Sequence, residues 1–300
     1  MKNSAFCSVL LLALLAQAGC VKSNFEVKPG NLCPLTGNGE FDTENLYCSY
    51  HKNGKLYEEI PKENGQREGL AKTYYESGEI EYERPYKNGK LEGRSKSYYK
   101  SGALRSERPW ENGKLEGLVK SYHENGKIEY ESFYKNGKSE GLSKGYYKNG
   151  KLSYEFPYIN DKKEGLGKTY YKSGKIEMVT TYKNGISEGP KKSYYENGAL
   201  KYEGFDTKGM IFEGPFKFYY ESGKIMEESH FKDYQKEGQK KVYRENGKLC
   251  VTIEYIKNSP VNGLCHHSDG TTRALANEEL RQFNYFTYKE IGCDRVIECE

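Results

Sequence analysis

Gly69 to Glu92 reads GLAKTYYESGEIEYERPYKNGKLE, and the chain writes this stretch repeatedly. The Glu-Gly pair that frames it recurs at Glu68-Gly69, Glu92-Gly93, Glu116-Gly117, Glu140-Gly141, Glu164-Gly165, Glu188-Gly189, Glu213-Gly214 and Glu237-Gly238. The spacing is 24 residues, with one interval of 25. A fixed period of this size marks a repeat architecture, in which stacked copies share local cores.

Counted from the framing glycine as position 0, position 3 is Lys in all eight framed repeats, Lys72, Lys96, Lys120 and Lys144 among them. Position 5 is always Tyr, as in Tyr74, Tyr98, Tyr122, Tyr146, Tyr170 and Tyr194. Position 6 is Tyr in all but two, where His123 and Arg244 stand. Position 9 is Gly after Ser or Asn, position 11 is Ile or Leu, and position 14 is usually Glu. Asn-Gly returns at positions 19 and 20, as in Asn88-Gly89 and Asn112-Gly113. These are hairpin-turn residues, so each repeat reads as two strands and two turns.

A two-residue first turn sets position 3 opposite position 14, and position 6 opposite position 11. One face then carries positions 4, 6, 11, 13 and 17 and is the apolar one. The other carries the Lys, the position-5 Tyr and the Glu, with Lys72 across from Glu83 and Lys96 across from Glu107. A degenerate ninth copy begins near Asn45, in which Cys48 takes the Lys position. The expected fold is all-β: an elongated ribbon of about nine stacked hairpin repeats.

The ends are read differently. Lys2 precedes an apolar run, Ala5 to Ala16, of signal-peptide length. Ala16-Gln17-Ala18 offers an ordinary cleavage site, and Ala18-Gly19-Cys20 is similar to a bacterial lipobox with Cys20 as the lipidated residue. With Cys7 removed and Cys20 lipidated, six cysteines remain: Cys33, Cys48, Cys250, Cys265, Cys293 and Cys299. An even set in an exported chain suggests disulfides. Cys33 and Cys48 are 15 residues apart, as are Cys250 and Cys265, so both pairs are expected as staples, leaving Cys293 and Cys299. Thr271 to Phe283 reads as a short helix. The expected organisation is residues 1–19 signal peptide, 20–44 N-terminal linker and cap, 45–263 repeat array, and 264–300 C-terminal cap with the helix.

Only 35% of residues are apolar and the net charge is +4 with signs interspersed, which does not mark a nucleic-acid binder. The phased recurrence of the 29 tyrosines argues for half-buried sheets rather than disorder. No nucleophile motif, phosphate loop or dinucleotide fingerprint appears, and the glutamates recur with the repeat, so neither an enzyme nor a cofactor is expected. His266-His267 beside Cys265 lacks tetrahedral ligand spacing, so no metal is expected either.

The phrases Tyr74-Tyr75-Glu76-Ser77-Gly78 and Tyr86-Lys87-Asn88-Gly89-Lys90-Leu91-Glu92-Gly93 resemble the MORN-repeat variant, including bacterial YwqK-family antitoxins. The resemblance spans roughly residues 45 to 263. It implies stacked β-hairpins used for binding. The signal segment, cysteines and cap make this an exported form of that pattern. Two readings follow for the Tyr and Lys rows: internal sheet reinforcement, or a surface for a partner. The expected function is a non-catalytic lipoprotein of the cell envelope, at the outer membrane or else secreted or periplasmic, held to the membrane by its lipid anchor. It would act as a protein-interaction scaffold, toxin neutralisation being one version. The alternative is a glycan or cell-envelope binding module.

Overall fold

A computed structural model of the chain describes residue 33 and residues 39–42, 45–209 and 213–285, with side chains to residue 281. The signal segment, Cys20, Cys293 and Cys299 lie outside the described residues. Contacts divide the chain into two compact units. The first comprises Met1–Leu104 with Trp110–Gly113, and the second Arg105–Pro109 with Lys114–Glu300. In each, the strands form an open antiparallel sheet in which every long strand pairs with the long strands before and after it.

The repeat of Gly69 shows the plan. Gly69–Tyr74 runs out, Ile80–Lys87 runs back, and Lys90–Leu91 opens the following repeat. Asn88 and Gly89 both adopt positive φ, 49° and 74°, the type I′ geometry whose twist suits a two-residue hairpin. The first turn differs from the sequence reading. Gly78 N–H donates to the Tyr75 carbonyl and Tyr75 N–H to the Glu79 carbonyl, leaving a three-residue loop closed by Gly78 at φ 107°. Tyr74 therefore sits opposite Ile80, and the register then shifts so that Thr73 meets Tyr82 and Lys72 meets Glu83. The extra residue, Glu81, is a β-bulge that restores the Lys–Glu pairing after a loop one residue longer than expected.

The bulge also corrects the faces. Position 11 shares a side with position 5, not with the apolar row. The buried face is built from positions 2, 4, 13, 15 and 17: Ala71 and Thr73 lie across from Arg84 and Tyr82, and Gly69 across from Tyr86. Small residues at positions 2 and 4, such as Ser95, Ser97 and Ser143, are buried beneath the aromatic rows. Gly145 and Gly167 take this to its limit. A Cβ on Gly145 would lie 2.2 Å from the Tyr154 ring, and one on Gly167 2.4 Å from the Phe156 ring.

The ends are sealed by dedicated clusters. Cys33 is bonded to Cys48, and with Leu46 and Leu56 they form a buried group against Tyr50 and Tyr74. The sheet starts upstream of the expected array, since Glu40–Asp42 pairs with Leu46–Tyr50. At the other end Cys250 and Cys265 are both disulfide-bonded and fully buried, among Val242, Val251, Ile253, Tyr255, Leu275 and Leu280. The helix begins later than expected, at Asn277–Tyr285, because Thr272–Ala274 adds a strand against Ser259–His266. Glu279 accepts from the Ala276 N–H at the helix start and from both Arg273 guanidinium nitrogens at 2.9 Å.

Candidate interaction surface

The Lys and Glu rows form a ladder. In the first unit Glu59 faces Lys72, Lys72 faces Glu83 and Glu83 faces Lys96. In the second it runs Glu107, Lys120, Glu131, Lys144, Glu155, Lys168, Val179, Lys192, Glu203, Lys217, Glu228, Lys241 and Thr252, one rung per strand. Ion pairs form in either direction: Lys72 to Glu59 at 3.2 Å and Lys168 to Glu155 at 2.9 Å, but Lys192 to Glu203 at 3.2 Å and Lys217 to Glu228 at 3.0 Å. Each of these lysines faces at least one glutamate along the row.

The position-5 tyrosines close the same row from the side. Tyr74 donates to Glu59, Tyr98 to Glu83, Tyr146 to Glu131 and Tyr170 to Glu155, all at 2.7 Å. Tyr122 does so to Glu107 at 3.2 Å, Tyr219 to Glu203 at 2.6 Å and Tyr243 to Glu228 at 2.8 Å. Every one of these bonds reaches the preceding repeat. Tyr194 is the exception, because Val179 stands where its glutamate would be. Burial, and then the glutamate neighbour, push the Tyr146, Tyr170 and Tyr243 hydroxyls up to about 12. The Tyr219 and Tyr243 hydroxyls in turn lower the Glu203 and Glu228 carboxyls, assisted by Lys192 and Lys217.

Other repeated residues are also spent between neighbours. Position-6 hydroxyls donate forward to the next repeat's position-5 carbonyl, as from Tyr75 to Tyr98 at 2.7 Å and Tyr147 to Tyr170 at 2.6 Å. His51 and His123 do the same work through Nε2, to Tyr74 and Tyr146 at 2.8 and 3.0 Å, which is why imidazole can replace phenol there. The framing glutamates accept the N–H that opens the next Asn-Gly turn, as Glu68 does from Asn88 and Glu164 from Asn184, both at 2.7 Å.

A feature that sequence reasoning missed lies beside the ladder. Positions 1 and 16 pair on the same face: Leu118 with Phe133, Leu142 with Pro157, Leu166 with Thr181, and Pro190 with Phe205. Leu118, Phe133, Leu142, Leu166 and Phe205 are 41, 44, 43, 50 and 43% exposed, an apolar stripe in the second unit open to solvent. Its signal was the Leu that follows four framing glycines, at Leu70, Leu118, Leu142 and Leu166.

The opposite face of the second unit holds buried charge. Lys240 and Glu227 pair at 2.8 Å with both side chains nearly inaccessible, and Lys191 pairs with Asp206 at 3.3 Å. Lys236 lies 5.3 Å from the Tyr255 ring centre, and burial, with Lys240 nearby, brings its amine down to about 8. Among the described residues no cluster of three or more His, Cys, Asp or Glu could hold a metal ion. His266 instead meets Thr252 at 3.2 Å.

Comparison with known proteins bears on the repeat itself. No curated protein matches the chain. Among solved structures it is similar to part of an alternansucrase in complex with isomaltononaose: 12% identity, 83% of this chain, 18% of that one, TM-score 0.21. It is also similar to parts of a TcdB2-TccC3-Cdc42 structure, with 12% identity, 77% and 15% coverage and TM-score 0.17. A Photorhabdus luminescens Tc holotoxin pore gives 10% identity, 85% and 18% coverage and TM-score 0.14. The chain spans less than a fifth of each, and at these scores they carry no argument about function. The MORN repeat variant model, by contrast, matches residues 43–61, 67–88, 91–114, 115–136, 139–160, 163–184, 187–205, 212–233 and 236–257, well over half of the chain. This chain belongs to the MORN repeat variant family.

Proposed function

We propose that the chain is a non-catalytic, exported lipoprotein, anchored through Cys20, whose repeat array is a scaffold for a protein partner in the cell envelope. The observation that carries this reading is the apolar stripe of Leu118, Phe133, Leu142, Leu166 and Phe205, exposed beside a charge-compensated ladder. Exposed apolar residues aligned along one row of a sheet are the kind of surface that protein interfaces use. Neutralising an exported toxin, in the manner of a YwqK-type antitoxin, is one form such binding takes. The glycan reading draws less support, since the tyrosine hydroxyls that would meet a sugar already donate to glutamates.

Two measurements test the proposal. Intact mass of protein purified from its own membranes should show a lipidated chain beginning at Cys20. Photo-crosslinking from position 118 or 142 in the envelope should yield one recurrent adduct, lost in Leu166→Glu while the fold is retained. A chain beginning at Met1, or crosslinks indifferent to that substitution, would sink the reading.

A further inference from the structure

We infer that Lys236, Tyr255 and Ser229 form a site for one small monovalent anion of the halide class, inside the second unit. The site lies on the face opposite the stripe and is independent of the scaffold reading.

Three consecutive strands supply it. Ile225–Lys232 carries Glu227 and Ser229, Gly238–Tyr243 carries Lys240, and Leu249–Ile256 carries Tyr255, with Lys236 just ahead of the middle strand. Each polar residue but Tyr255 stands across from an apolar one. Phe216 faces Ser229, Phe231 faces Lys236, Val242 faces Glu227 and Ile253 faces Lys240, and these four apolar side chains are all buried. Gly238 stands across from Tyr255.

The charges in this cluster do not balance. Glu227 is spent on Lys240, at 2.8 Å. Lys236 lies over the Tyr255 ring, and among the described residues it has no carboxylate within ion-pair distance. Two ammonium groups therefore share one carboxylate between apolar walls, and an uncompensated charge in such a place is costly. The hydroxyls do not balance either. Tyr255 is 2% exposed and Ser229 7%, and neither hydroxyl has a hydrogen-bond partner among the described residues. Buried polar atoms of this kind are ordinarily met by protein, water or an ion.

A water would serve the two hydroxyls but leave the charge. A monovalent anion answers both, accepting from Tyr255 Oη, Ser229 Oγ and Lys236 Nζ and bringing the cluster to neutrality. A dianion such as sulfate would leave it negative. The apolar walls favour an ion that sheds its water readily, so bromide should bind better than chloride, and fluoride least.

The test uses the full mature chain carrying Cys20→Ser. Sodium bromide, chloride or fluoride is exchanged against sodium gluconate at constant ionic strength, and unfolding is read in urea. Above half-saturation, the unfolding constant of the wild type should fall about tenfold for each tenfold rise in bromide. Chloride should act at higher concentration. Lys236→Met should abolish the dependence, and Tyr255→Phe should weaken it. Crystals grown in bromide should show its anomalous signal within hydrogen-bond reach of Lys236 Nζ and Tyr255 Oη. A wild type that responds to halide no more than Lys236→Met does overturns the inference. So does a Tyr255→Phe variant that responds as fully as wild type, fluoride acting as strongly as bromide, or a bromide signal found only elsewhere on the chain.

Discussion

Tyr170 and Tyr194 occupy the same position in neighbouring repeats but have different partners, a glutamate for Tyr170 and Val179 in its place for Tyr194. Tyr170→Phe is therefore expected to cost about 1 kcal/mol, the usual net worth of such a bond, in urea unfolding. Tyr194→Phe should fall within about 0.5 kcal/mol of wild type. The latches also set the pH response. Hydroxyls held up to about 12 at Tyr146, Tyr170 and Tyr243 keep their protons in the folded chain after the unfolded chain has begun to lose its own. That stabilisation is complete below the ordinary tyrosine value and is lost as pH rises through about 12, so melting temperature should fall across this window. The lowered carboxyls of Glu203 and Glu228 act in the other direction. Their contribution is complete above the ordinary carboxylate range and fades as pH drops through their lowered values. Lys236, brought down to about 8 by burial, destabilises the fold most below that pH and progressively less above it. Lys236→Met should stabilise at pH about 7, with the gain shrinking toward the ordinary lysine value.

At the level of strands and turns, some positions obey the hairpin rules and others strain against them. Tyr234 holds φ 64° in a turn where most repeats place glycine, and its side chain is exposed. Tyr234→Gly should gain about 1 kcal/mol by removing the left-handed penalty on a bulky residue. Gly145→Ala should lose about 1–3 kcal/mol, because the new methyl must displace a Tyr154 ring already packed against Phe156 at 5.3 Å. Both changes are read in chemical denaturation. The period, the Asn-Gly turns and the Lys72–Glu83 pairing were legible from spacing alone. The first turn was not, because Ser-Gly suits a two-residue or a three-residue loop, and only the bulge at Glu81 reconciles the longer one with the ladder. The stripe stayed hidden because its leucines adjoin the framing glycines and read as linker. The tyrosine latches hid because each joins different repeats, and the departure at Val179 left Tyr194 in place and so gave no paired signal.

For the molecule as a whole, cohesion comes from bonds between adjacent repeats rather than from one central core. Stability should then behave as a sum over repeats and their interfaces, with loss starting at unsealed ends. Replacing both Cys33 and Cys48 by Ser releases a bridge closing 15 residues, a change of about 3 kcal/mol. Hydrogen exchange should accelerate around Leu46–Tyr50 and Leu56–Glu63 and remain unchanged beyond Tyr147. The interlocking of each repeat with the next also constrains how the gene can vary. Excising one whole period, for example Gly117 to Glu140, removes two strands, lets the flanking latches meet again and leaves the order of plus and minus rungs undisturbed. Loss of a single strand would invert that order for everything downstream. A change of copy number by whole periods therefore keeps the ladder intact, whereas a half-step breaks it.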